Sequence, residues 1–514
     1  MAKKILEKAK WNHLIKSLKN ICPEAFSTED NVLNLVNGEW QYEGNLKPFA
    51  SSIDGTILGY YPILQVREGR EAVEFCAKEF KNWKRVDLDQ RKEMVSKTLD
   101  GIEEHKELLA LLLTWEIGKP YDQSLDGVNR CINGVRWYVD HIEGMMEKRS
   151  PLGVISNIAS WNYPLSVLVH ACLIQVLAGN SVIAKTPSDG GLWALTLCFA
   201  ISKQNALPVS LISGSGGVLS EALVTHDAVD CLSYVGGKSN GRLIAGSLYN
   251  KNKRYMLEME GINSYGIWNF EDWDLISKQI KSGFKYGKQR CTAYVRFVIE
   301  RTLFPKFLDM YLPVLKSLKF GHPLLVEEGE TELPGYDFGP LINSNKVSDL
   351  NVMFNDAIGK GAVSIYKGEL DDDNFLAHQD TSAYYPPTTL LNLSRNAKLY
   401  HNEPFGPLDS IILVDSKEEL ITEMNVSNGA LVSSIACDKE AEAKEIASQL
   451  RGYKVGINKM KSRGDREATF GGLGESWKGC FVGGNHLVEA VTHSDESKQL
   501  YGNFPEYTLL PELR

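Results

Sequence analysis

Cys-x-x-Cys pairs are absent from this chain, and its cysteines, at positions 22, 76, 131, 172, 198, 231, 291, 437 and 480, number nine. An odd count in a long chain suits free thiols in a reducing compartment, with the cytoplasm as the expected location, better than a disulfide framework or a structural zinc. His13, His105, His170 and His401 show no metal-ligand spacing, so no metal is expected. No apolar run approaches the roughly 18–20 residues that span a bilayer, so no stable membrane insertion is expected. Positive charge is in deficit: 56 Lys and Arg stand against 65 Asp and Glu, for a formal net charge of −9 and a pI near 5.7. That balance leaves no basic excess for nucleic acid. Internal repeats, long low-complexity segments and the Gly-x-Gly-x-x-Gly fingerprint are missing too.

What is present is an ordinary globular composition, 43% hydrophobic and 24% charged over 514 residues. That length implies two or more domains. The first twenty residues carry six lysines and one glutamate around Ile5, Leu6, Ala9, Leu14, Ile15 and Leu18. The spacing is that of an amphipathic surface helix; transit peptides favour arginine, which this stretch lacks. Glu71–Lys84 and Leu88–Ile117 read as helices from apolar positions three and four apart.

After Pro151 the texture changes. Strand-like runs at 152–158, 181–184, 209–213, 228–235 and 254–258 alternate with helical stretches at 164–178, 191–203, 219–224 and 240–249. Such alternation predicts βαβ units on a parallel sheet, which binds ligands at the carboxyl ends of its strands. It resumes past Gly261, with strands at 262–268 and 293–299 and helices at 271–286 and 303–318, so a second α/β unit is expected. Residues 327–339 and 369–382 are polar and turn-rich, and read as loops.

Several residues carry chemistry at these junctions. Cys291 sits in the polar turn Gly287-Lys-Gln-Arg-Cys291-Thr-Ala between a helix and a strand, whereas a structural thiol usually sits in an apolar stretch. Lys288 and Arg290 would favour its thiolate if they point towards it. Glu258 ends a strand in Met256-Leu-Glu258-Met-Glu260-Gly; a strand continuing through Glu260 would put both glutamates on one side, and a turn would separate them. Asn162, in Ser160-Trp161-Asn162-Tyr-Pro164, is either a donor into a cleft or a helix cap. Lys185 can reach a ribose or phosphate from a strand end, or is a plain loop lysine. Gly236-Gly237-Lys-Ser-Asn-Gly241 opens backbone amides to a phosphate, or is a bare turn.

Taken in order, these segments resemble the NAD(P)-dependent aldehyde dehydrogenase superfamily. Trp161-Asn162-Tyr-Pro164 is similar to its asparagine motif, Lys185-Thr-Pro-Ser to its ribose-binding lysine motif, and Tyr234-Val-Gly-Gly237-Lys-Ser-Asn-Gly241 to its pyrophosphate turn. Leu257-Glu258 resembles the general-base motif and Gly287-x-Gln289-Arg-Cys291-Thr-Ala the nucleophile motif. Glu403-Pro-Phe405-Gly-Pro407 and Phe470-Gly-Gly472 resemble two downstream motifs. The likeness runs from about residue 30 to about 495.

The resemblance implies an enzyme that oxidises an aldehyde to a carboxylic acid with NAD or NADP through a cysteine-bound thioester. Cys291 would be the nucleophile, Glu258 the base and Asn162 the oxyanion donor. Trp161, Lys185, Ser188, Gly237, Glu403 and Phe405 would contact the cofactor. It implies an α/β fold with a Rossmann-like cofactor domain (1–125 and 150–258) and an α/β catalytic domain (259–470). A small β oligomerisation arm (126–149) with the C-terminal tail (471–514) would build a homodimer or homotetramer. The sequence departs from the pattern after the base, where one expected glycine is Glu260 and an expected lysine is Ile262. An extra carboxylate there would raise the Glu258 pKa or crowd the cofactor. Ser188 stands where a glutamate often selects NAD, leaving NAD and NADP both open. A coenzyme A-acylating dehydrogenase, its reverse reductase, or a silent relative are the alternatives. Trp161, Tyr163 and Tyr286 would line an apolar tunnel for medium-chain or aromatic aldehydes, or belong to the core.

Overall fold

The computed structural model describes every residue except 1–2, 43, 250, 252, 427–429, 465–466, 495, 497–499 and 505–514. The last ten residues of the expected tail therefore lie outside the described residues. Two mixed sheets organise the chain. In the first, five parallel strands β1 (Val154–Ile158), β2 (Ser181–Lys185), β3 (Val209–Ile212), β4 (Cys231–Gly236) and β5 (Arg254–Met259) lie in the order β5-β4-β1-β2-β3. Antiparallel strands flank both edges: Trp477–Cys480 and Gly502–Asn503 beyond β5, Asn34–Val36 and Glu39–Gln41 beyond β3. In the second sheet six strands are parallel: β6 (Asn263–Ile267), β7 (Tyr294–Glu300), β8 (Thr388–Leu391), β9 (Leu408–Val414), β10 (Ala430–Ala436) and β11 (Gly452–Ile457). Their order is β8-β9-β7-β6-β10-β11, with antiparallel Val363–Lys367 at the β8 edge. The strands read as short apolar runs because helices cover both faces of the parallel core; β2, for example, is buried along its whole length.

The chain runs outwards from β1 to β2 and β3, then returns to lay β4 on the other side of β1. At this reversal the loops after β1 and β4 diverge and leave a crevice at the strands' carboxyl ends. Register keeps those ends level: Ile158 pairs with both Tyr234 and Lys185, and Val235 with Glu258. The chain then passes through Glu260, Gly261 and Ile262 into β6, so the second sheet turns amino ends towards the crevice.

Some expectations need correction. Residues 126–145 are not a β-arm. They belong to α1 (Tyr121–Met145), whose Ser124, Val128, Cys131, Val135, Tyr138 and Ile142 recur every three or four residues and are buried. The β-structure nearby is one pairing, Arg149–Pro151 with Thr492–Ser494. The remainder of the supposed tail includes strands of the first sheet. The N-terminal helix spans Trp11–Ile21, while Lys3–Ile5 is a strand antiparallel to Leu325–Glu327. The long helix expected over 88–117 breaks at His105, whose backbone (φ −107°, ψ 18°) is not helical. Helix α2 (Lys238–Leu248) follows β4, and a Cβ on Gly241 would lie 2.3 Å from Met259 Sδ, so glycine permits this helix to pack on β5. No helix among the described residues is long and apolar enough to cross a membrane.

Candidate active site

The turn that carries Cys291 is bent by three successive residues in the left-handed region: Tyr286 (φ 60°), Gly287 (φ 58°) and Lys288 (φ 58°). Tyrosine and lysine each cost about 1–3 kcal/mol there, so tertiary contacts must hold the turn. Lys288 supplies one. Its buried Nζ donates to Asp409 Oδ1 and Oδ2 at 2.6 and 2.7 Å and to Tyr294 O at 2.8 Å. Gln289, fully buried, donates to Tyr286 O and Pro340 O and accepts from Ile342 N. Asn263, at the start of β6, donates to Cys291 O at 2.8 Å and Ala293 O at 2.9 Å, while its Oδ1 accepts from Val432 N. One asparagine thus fixes the Cys291 carbonyl to two strands of the second sheet.

Asn162 meets this turn from the first sheet. Its Nδ2 donates to Gln289 O at 3.0 Å, and Ser160 donates to its Oδ1 at 2.6 Å. These two partners set the amide's orientation and leave its other N–H without a partner among the described residues. Asn162 does not cap the following helix, which starts at Pro164 without a side-chain cap. The Cys291 N–H also has no hydrogen-bond partner among the described residues.

Glu258, near the end of β5, is buried. Its Oε2 accepts from Arg463 Nη1 at 3.0 Å, whereas its Oε1 has no partner. Cys291 is half-buried as a residue, but its thiol is sunk among protein atoms. Burial first, then the neighbouring Glu258 carboxylate, pushes the thiol well above its usual range; Arg463 pulls the other way. The cation acting on the thiol is therefore Arg463, not the sequence neighbours. Lys288 is spent on Asp409, and Arg290 turns back to donate to Gly283 O at 2.6 Å.

The strand does turn after Met259, so Glu260 separates from Glu258. Its Oε1 accepts from Lys238 N at 3.0 Å, at the first turn of α2. There a carboxylate is favoured by the helix's unpaired amides. Across the crevice, burial and then the Glu260 charge push the Glu403 carboxyl well above the carboxylate range. Glu403 Oε2 accepts from Gly261 N at 3.3 Å and Oε1 is buried without a partner. Phe405 is held at φ 48° with its ring 5.9 Å from that of Trp161.

One cavity of about 470 Å³ joins these groups, walled by Trp161, Asn162, Gly237, Glu258, Cys291, Glu403 and Phe405 among others. Lys185 and Ser188 are outside its wall. Lys185 is buried at the end of β2, its Nζ donating to Thr186 O, and burial pulls it down to about 8; Ser188 is exposed in the loop beyond. The expected apolar tunnel is present in part, with Val167, Phe470 and Leu487 also on its wall. Trp161 and Tyr163 line it, but so do Arg130, Arg290 and Arg463, and Tyr286 is buried behind them. Asn263, Gln289, Arg463 and Arg130 were not foreseen. Only Gln289 carried a signal, its place inside the nucleophile motif.

An unpartnered oxygen on buried Glu403 and an open space over Gly237 are features a dinucleotide's hydroxyls and phosphates would use. Glu260 on the Lys238 amide would have to share or yield that place. The donor set therefore fits a dinucleotide.

A sheet crevice of this topology is joined through one cavity to a buried thiol and a half-paired carboxylate. Residues 43–496 match the model of the aldehyde dehydrogenase family, and the chain belongs to that family and is an enzyme of its class. It is 25% identical over 469 residues to the mitochondrial succinate-semialdehyde dehydrogenase of Homo sapiens, covering 87% of this chain and 84% of that one. It is 25% identical over 464 residues to the 3-sulfolactaldehyde dehydrogenase of Pseudomonas putida, covering 86% and 92%. The fold is shared with an NADP-dependent glyceraldehyde-3-phosphate dehydrogenase from Bacillus halodurans, at a TM-score of 0.81 and 24% identity over 90% of this chain and 98% of that one.

Proposed function

We propose that this enzyme oxidises an aldehyde to its carboxylic acid through a thioester on Cys291. The observation that carries the reading is the convergence of the Cys291 thiol, the unpartnered Glu258 Oε1 and the spare Asn162 N–H on one cavity. Deprotonated Sγ forms the C–S bond to the carbonyl carbon. The oxygen that gains charge is held by Asn162 Nδ2 and the Cys291 N–H; one such donor is typically worth about 2.7–4 kcal/mol in the transition state. When bound, NAD or NADP supplies the hydride acceptor. Lys185, Glu403, Gly237 and, at the loop, Ser188 would hold it, and Trp161 and Phe405 would flank it. Loss of hydride leaves the acyl group on sulfur. Glu258 Oε1 then takes a proton from water, the hydroxyl attacks the thioester carbon, and the C–S bond breaks to release the acid and restore the thiol. In sum, aldehyde, water and NAD(P)⁺ give acid, NAD(P)H and a proton. The relative that takes NADP by its own name and the polar Ser188 keep both cofactors in play.

The Arg463 bond to Glu258 favours a second reading, because a tethered base slows hydrolysis and leaves a thioester that coenzyme A can take. Nine free thiols support a cytoplasmic setting, although several relatives are mitochondrial. We read the assembly as a homodimer or homotetramer on the apolar surface that the monomer leaves open, notably Leu243, 71% exposed on α2.

The test is formation of reduced nicotinamide from an aldehyde panel with NAD⁺ or NADP⁺, each with and without coenzyme A. A signal without coenzyme A, abolished in Cys291→Ala, supports hydrolysis. A signal only with coenzyme A moves the reading to acyl transfer. Full activity in Cys291→Ala overturns both.

A further inference from the structure

Lys346 stands in an unfavourable place on the wall of the cavity. It lies in the first turn of the helix Ser344–Gly359, its backbone N–H donating to Asn343 Oδ1 at 3.0 Å. A helix's first turn favours anions and disfavours cations. The side chain is half-buried on the same wall as Gly237, Glu260 and Glu403. Burial pulls its pKa down, and Asp349, then Glu403 and Glu260, push it back up. Its Nζ makes neither a hydrogen bond nor an ion pair among the described residues. Dipole and partial desolvation therefore weigh on one ammonium that has no bonded partner to offset them.

The other charges of this region are committed. Lys238 Nζ pairs with Glu475 at 2.7 Å, and Arg242 pairs with the same carboxylate. Of the lysines and arginines on the cavity wall, Arg130, Arg290 and Arg463 have hydrogen-bond partners among the described residues and Lys346 has none. Among the acids, Glu403 is buried on the Gly261 N–H, whereas half-buried Glu260 is held by the Lys238 N–H. That amide opens α2, a helix of 11 residues, beside the open space over Gly237. A dinucleotide's phosphates would take their N–H donors from the same place. Two anions repel on one set of amides, so a phosphate arriving there expels the Glu260 carboxylate.

We propose that Glu260 is a built-in stand-in for a cofactor phosphate on the α2 amides, and that Lys346 receives its carboxylate when the phosphate takes that seat. The proposal rests on the crevice binding a dinucleotide and is independent of the fate of the thioester. The exchange keeps an anion on the amides that favour one and gives Lys346 the counter-ion it lacks. Part of the cost of moving Glu260 is thereby recovered, so the two side chains act on cofactor affinity as a coupled pair and not as separate contacts. A lysine that touched the cofactor itself would act without regard to Glu260.

The test is a double-mutant cycle read by titration calorimetry of the full-length enzyme with NAD⁺ and with NADP⁺, with no aldehyde present. Lys346→Met is expected to weaken binding roughly fivefold or more when Glu260 is in place, and by less than about twofold in the Glu260→Gln background. Lys346→Arg keeps the charge and retains the parent's affinity. Equal weakening in both backgrounds means that the lysine holds the cofactor directly, and overturns the proposal; so does no weakening in either. Urea unfolding of the cofactor-free proteins gives a second readout. Lys346→Met should be no less stable than the parent, because the charge it removes is unpaired and opposes the helix dipole. A loss of stability shows a lysine already paired without cofactor, and refutes the exchange. If neither nucleotide binds the parent or Glu260→Gln, the crevice is not a dinucleotide seat, and the proposal falls with that assignment.

Discussion

Replacing Glu258 by glutamine should move two observables in opposite directions. Glu258 Oε1 has no hydrogen-bond partner among the described residues, and under the proposed mechanism its loss removes the base for thioester hydrolysis. General-base catalysis is worth about 10²–10⁴-fold, or about 3–5 kcal/mol of barrier, so steady-state turnover should fall by that factor. Acylation does not need the base, so a burst of close to one reduced nicotinamide per chain should survive. The thiol responds the other way. Burial holds the Cys291 pKa up first, and the Glu258 charge adds to it. Glutamine carries no charge, so the pKa falls part of the way back and the thiolate fraction at pH 8 rises. Alkylation by iodoacetamide at fixed pH should therefore be faster in Glu258→Gln than in the parent, although turnover is slower. Equal or slower alkylation would refute the account of the thiol. Unchanged turnover, with no burst, would refute the role of the base.

Lys288→Met leaves Asp409 buried and uncompensated, and should cost about 3–5 kcal/mol in urea unfolding; Lys288→Met with Asp409→Leu should recover most of it. In neither variant should Cys291 alkylation speed up or slow down through charge, because Lys288 does not act on the thiol. Glu260→Gln removes the anion on the Lys238 amide and should tighten NAD(P)⁺ binding several-fold by titration calorimetry, at a stability cost of about 0.3–1 kcal/mol. His322 is buried, its Nδ1 accepts from Leu324 N, and burial drives its pKa down to about 4 from an ordinary 6.5. Its folded pKa is depressed, so the stability it contributes is complete above pH 6.5 and lost as pH falls towards 4. The loss is on the order of 3 kcal/mol, and a His322→Gln variant should lack that part of the slope.

The parallel strands were legible because they are short apolar runs between amphipathic helices, and β1 to β7 fall within a few residues of expectation. That Cys291, Glu258 and Asn162 would share one cavity was legible because strand ends and polar turns are where an α/β fold exposes side chains. The helix at 121–145 shows why a family likeness should not override periodicity. Val128, Cys131, Val135, Tyr138 and Ile142 already spelled a buried helical stripe where the resemblance suggested strands. The start of the helix after Asn162 was legible as helical but not as the π-helical turn it is over Pro164–Val169, since its apolar spacing serves either winding. Arg463 could not be read at all. It reaches Glu258 across 205 residues of sequence, and only the meeting of the two sheets brings them together. Asn263 was hidden for the same reason, as an ordinary polar residue opening an ordinary strand.

The crossing through Glu260, Gly261 and Ile262 separates what can change from what cannot. Glu258 closes one sheet and Asn263, which grips the nucleophile's carbonyl, opens the other, with four residues between them. Glu258 and the asparagine that anchors the Cys291 carbonyl are thus joined by a short tether between the sheets. Part of the cavity wall is drawn from a distant stretch, α1, through Arg130, Gly134 and Tyr138. Exchanges there reshape the cavity wall while leaving the tether between the sheets untouched.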